Sequence, residues 1–113
     1  MISLIRVLGE GDLLHLRSIL GGGANAGLQE KVDRFIRECA FVAEEAEEAF
    51  RALPPADRET AISELAWRVT CHLDNSVTRV RGVDTFDLGG GFCAVLSERE
   101  GREIFCLVRA RGT

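Results

Sequence analysis

Long apolar runs are missing from this sequence. Nothing in it approaches the roughly 18 to 20 residues that a membrane-spanning helix needs. The start, "MISLIRVLGEGD", lacks the basic flank and the apolar length of a secretory signal. Both absences make a cytoplasmic protein the expectation, with no membrane partner. Lysine is also scarce: Lys31 stands alone among 14 basic residues, the other thirteen being arginine. So uniform a bias reads as codon composition and carries no signal of guanidinium chemistry. No excess of positive charge is present either. The net charge is −4, and residues 1–60 hold 7 basic against 11 acidic side chains while residues 61–113 hold 7 of each. A general nucleic-acid binder usually shows a basic face, so direct nucleic-acid binding is disfavoured. Arg79, Arg81, Arg109 and Arg111 make at most a small basic patch with no aromatic residues interleaved.

The four cysteines, Cys39, Cys71, Cys93 and Cys106, show no C-x-x-C spacing and no clustering with histidine. They read as reduced, buried hydrophobes, and neither metal nor cofactor is expected. With 113 residues, 46% of them apolar and 28% charged, the chain has the size and composition of one globular domain spanning 1–113.

What is present is mainly helical. "ISLIRVL" (2–8) suits a buried strand or a helical turn, and its length leaves both open. Asp12 is placed to cap a short helix, "LLHLRSIL", that ends at the glycines 21–23. From about Ala26 to Leu53 runs the strongest pattern. Leu28, Val32, Phe35, Cys39, Val42, Ala46, Ala49 and Leu53 alternate at spacings of four and three, which predicts one long amphipathic helix. "LPPAD" breaks it, and Pro55 then suits the first turn of a second helix reaching about Asp74. Two such helices with so short a connection should pack antiparallel. Residues 76–83 fit helix or strand.

"FCAVL" (92–96) and "EIFCLV" (103–108) predict a β-hairpin around "SEREGR", with Gly101 at the left-handed position of a three-residue loop. In that register Val95 faces Phe105 and Cys93 faces Leu107, and Cys93 and Cys106 point to opposite sides. Both faces of the ribbon are apolar, where a ribbon with one wet face would alternate. The expected fold is therefore α+β: a long antiparallel helix pair and a short N-terminal helix on a small antiparallel sheet that includes the C-terminal hairpin.

Four patterns invite chemistry. "LGGGANAG" matches G-x-G-x-x-A at Gly21, Gly23 and Ala26, but the segment before it reads as helix where a dinucleotide site needs a strand. Gly89–Gly91 lack the Gly-Lys-Ser/Thr of a P-loop. Cys93 would need His15 or His72 as its base, and no local signature surrounds it. Asp84 and Asp87 form a possible acid pair whose commoner use is in turns, and Asp74 and Asn75 read as a helix end. No catalytic residue is assigned. The function expected is a non-enzymatic interaction module, a subunit, adaptor or inhibitor that self-associates. Its contacts are assigned to Val95, Phe105 and Leu107 on the uncovered ribbon face and to Glu44, Glu45, Glu47 and Glu48 on the long helix. The alternative is a small-ligand or nucleotide sensor or enzyme using the glycine loops. A weaker one is an inhibitor that mimics nucleic-acid phosphates with those glutamates and Glu30 and Glu38; a solvated helix face explains them more simply.

Overall fold

Residues 1–21, 26–74 and 85–110 are described by the computed structural model. They build an α+β fold. The chain begins with β1 (Ile2–Ser3) and α1 (Leu4–Val7), so the ambiguous N-terminal run is a strand bridge followed by one helical turn. Next come α2 (Glu10–Gly21), α3 (Ala26–Cys39), β2 (Ala40–Val42), α4 (Glu44–Arg51) and α5 (Pro55–Leu73). A three-strand meander completes the fold: β3 (Thr85–Gly89), β4 (Phe92–Arg99) and β5 (Arg102–Arg109). The strand order is β1-β2-β5-β4-β3, and every pairing is antiparallel except the parallel pair β2–β5.

The long helix expected over 26–53 is interrupted. Ala40, Phe41 and Val42 leave the helix and pair with Phe105, Cys106 and Leu107. The Ala43 amide then adds a bond of 2.9 Å to the Leu107 carbonyl. Periodicity could not reveal this, because Cys39, Val42 and Ala46 are buried in the strand-containing path just as they would be in a helix. Glu44, Glu45 and Glu47 are the acidic first turn of the new helix α4, where carboxylates meet the positive end of the helix dipole.

The expected antiparallel pair of long helices is replaced by α3, α4 and α5 on one side of the sheet. Asp12 contacts Arg58 and His15 contacts Ser63, so α2 and α5 run the same way. Helices α3 and α5 come together at their C-terminal ends, where Phe35 meets His72 with ring centroids 5.8 Å apart. The two helices bury Val32, Ile36, Ile62, Leu65 and Val69 against Ala94, Phe105 and Leu107 of the sheet. Helix α2 lies on both α3 and α5.

Asp12 ties this outer layer down, although not as a helix cap. The helix starts two residues earlier, and Asp12 reaches back from its first turn to accept the Gly9 amide at 2.9 Å. Its other oxygen receives Arg58 Nε at 3.3 Å, and Arg58 Nη1 also donates to the carbonyls of Arg51 and Leu53. One guanidinium thus joins three elements, with the Asp12 side chain only 9% exposed. Replacing Asp12 with alanine removes two hydrogen bonds to a buried charge. The expected cost is about 2 to 3 kcal/mol, read from urea unfolding.

The meander turns explain its glycines. Gly90 and Gly91 have φ of 65° and 86°, the left-handed pair that a two-residue hairpin turn needs, and Gly89 at 78° sits at a bulge. The β4–β5 loop also has two residues, Glu100 at φ 54° and Gly101 at 78°, closed by Arg99 opposite Arg102. The three-residue loop expected from sequence is therefore corrected, and the register shifts by one: Val95 lies opposite Cys106, and Cys93 opposite Val108. A shift of one residue exchanges the faces of a strand. Glutamate at positive φ costs roughly 1 kcal/mol. Glu100→Gly should therefore raise stability by about that amount, whereas Gly90→Ala should lower it by about 1 to 2 kcal/mol, both measured by chemical denaturation.

Candidate interaction surface

Few of the polar candidates meet. His72 Nε2 lies 2.6 Å from Glu103 Oε2 on the helix-facing side of the sheet. Its ring packs edge-on against Phe105 and at a tilt against Phe35, and its side chain is only 13% exposed. Cys93 lies on the opposite side of the sheet, so the Cys–His pair does not form. His15 bonds Ser63 Oγ at 3.0 Å and joins two helices. Asp87 accepts the Gly89 amide at 2.9 Å, the turn role expected of such an aspartate, and Asp74 closes α5. Among the described residues, no group of three histidine, cysteine or acidic side chains gathers as a metal site. None of the described helices is long and apolar enough to cross a membrane.

Helix, not strand, precedes the first glycine run: Gly21 ends α2. The segment 22–25, together with Asn75, Arg79, Arg81, Asp84, Arg111 and the assignment of 76–83, lies outside the described residues. Between α2 and α3 opens a cleft of about 680 Å³ lined by Arg17, Gln29, Asp33, Arg34 and Arg37, among others. Asp33 and Arg37 neutralise each other there at 3.0 Å. Ligand pockets are mostly enclosed and apolar with a few convergent polar groups. This cleft is open and walled by charge.

The glutamates of α4 are exposed or half-buried, but not unengaged. Glu47 pairs with Arg51 at 3.1 Å, and Glu44 lies 3.6 Å from the Met1 ammonium. Phe105 and Leu107, assigned from sequence to the uncovered face, are core residues at 0% and 1% exposure. They point at the helices, and of the three ribbon residues only Val95 lies on the other face. That face carries instead Phe41, Cys93, Val95, Ile104, Cys106 and Val108. None of these six belongs to the helix-packed core cluster, although Ile104 and Cys106 are themselves buried, at 4% and 8% exposure. Sequence reasoning missed Ile104, Cys106 and Val108 because the loop was read one residue too long, and Phe41 because its strand was read as helix; Cys93 was placed on this face but not assigned as a contact. The signal was in "EREGR", where Glu-Gly suffices for a two-residue turn once glutamate accepts a left-handed backbone.

The rest of this face follows from the alternation along each strand. One end carries Asp87, opposite Cys93; next comes Thr85, opposite Val95; then Ser97 opposite Ile104; and the hairpin tip carries Arg99 and Arg102. Arg102 leans along it, its Nη2 3.5 Å from Cys39 Sγ and 3.6 Å from Glu38. Arg99 makes no ion pair among the described residues.

Cys106, near the centre, is a hydrophobe and not a nucleophile. Burial pushes its thiol above the ordinary 9.0, the N-terminal ammonium opposes this, Glu45 adds to it and the Ala43 amide opposes it. The fold favours the protonated thiol, so this contribution is whole below the ordinary thiol value and is lost as pH rises through the raised one. The stability difference between wild type and Cys106→Ala should therefore narrow as pH climbs above 9.0, in denaturation series at stepped pH. In the native state, half-buried Cys71 and Cys93 should react with a thiol reagent before buried Cys39 and Cys106.

Comparison of the chain with protein-family models, with curated proteins and with solved structures finds no match.

Proposed function

We propose that this protein is a non-enzymatic interaction module whose partner docks on the outer face of its sheet. The observation that supports this reading is a continuous apolar face of half-buried Phe41, Cys93, Val95 and Val108 around the buried Ile104 and Cys106, on the side of the sheet away from the helix-packed core cluster. A sheet covered on one side ordinarily presents alternate polar residues to water on the other. Here the alternation fails on both strands of the hairpin. An apolar centre with charged residues at its margins is the usual anatomy of a protein–protein contact. The protonated Cys106 thiol fits that centre as a small hydrophobe.

The reading is tested by placing a photo-reactive phenylalanine at Val108, on this face, or at Leu14, which is 65% exposed on α2. Cross-links to a defined protein, a second copy included, should form from Val108 and not from Leu14. They should disappear when Val95→Glu is added. Val95→Glu should keep the native circular dichroism, because Val95 lies outside the core. Equal cross-linking from both positions, or persistence in the glutamate variant, would reject the outer face as the docking surface.

A further inference from the structure

We draw no further inference here: the strongest candidate, the apolar outer face of the sheet with half-buried Phe41, Cys93, Val95 and Val108, belongs to the docking surface already described, and nothing in the structure shows what covers it.

Discussion

Three residues of strand decide the architecture. Ala40, Phe41 and Val42 interrupt what would otherwise be one helical rod and bind β5 in parallel. That ladder fixes where α3 ends, starts α4 two residues later and hangs β1 on the outer edge of the sheet. It also sets the depth of the core. Ala40 and Val42 are fully buried on the helix side, between α3 above and the Phe105–Leu107 strand alongside. With no ladder, α3 and α4 would run on past the sheet, and β5 would be an exposed edge. The Ala43–Leu107 bond closes the insertion at its far end, so the backbone polar groups freed by breaking the helix find partners.

Much of this was legible in the sequence, and the failures are instructive. Pro55 at the start of α5 and the α5 stripe of Ile62, Leu65, Ala66 and Val69 stand where proline chemistry and helical period put them. So does the hairpin as an element. The break at Ala40 was not legible from periodicity, since three residues of strand inside a helical pattern bury the same side chains a helix would. Its trace lay in charge: "EEAEE" makes poor sense in a helix interior and good sense in a first turn. Residue type alone does not reveal that a parallel partner sixty-odd positions away will compete for the backbone there.

The candidate surface was half legible for a different reason. The absence of alternation along β4 and β5 announced correctly that the ribbon has two apolar faces. Which residues occupy which face depended on one loop residue, and the rule that glycine marks the left-handed position identified Gly101 without identifying Glu100. A non-glycine residue at positive φ is what separates a surface made of Ile104, Cys106 and Val108 from one made of Phe105 and Leu107. The chemistry changes with it. Cys93 and Cys106 share a face as neighbours on a diagonal, and His72 is left on the other side in a nest of aromatic rings with Glu103.

The parallel ladder also has a history in time. Cys39 and Arg102, which touch beside it, are 63 residues apart in the chain. At roughly 5 to 20 residues per second of synthesis, several seconds pass between the appearance of Ala40–Val42 and of the strand that receives them. During that interval the local pattern of residues 26–53 favours helix throughout, and nothing yet exists to oppose it. Contacts so distant in sequence slow folding as a rule, and here the delay falls on the element that orders the rest.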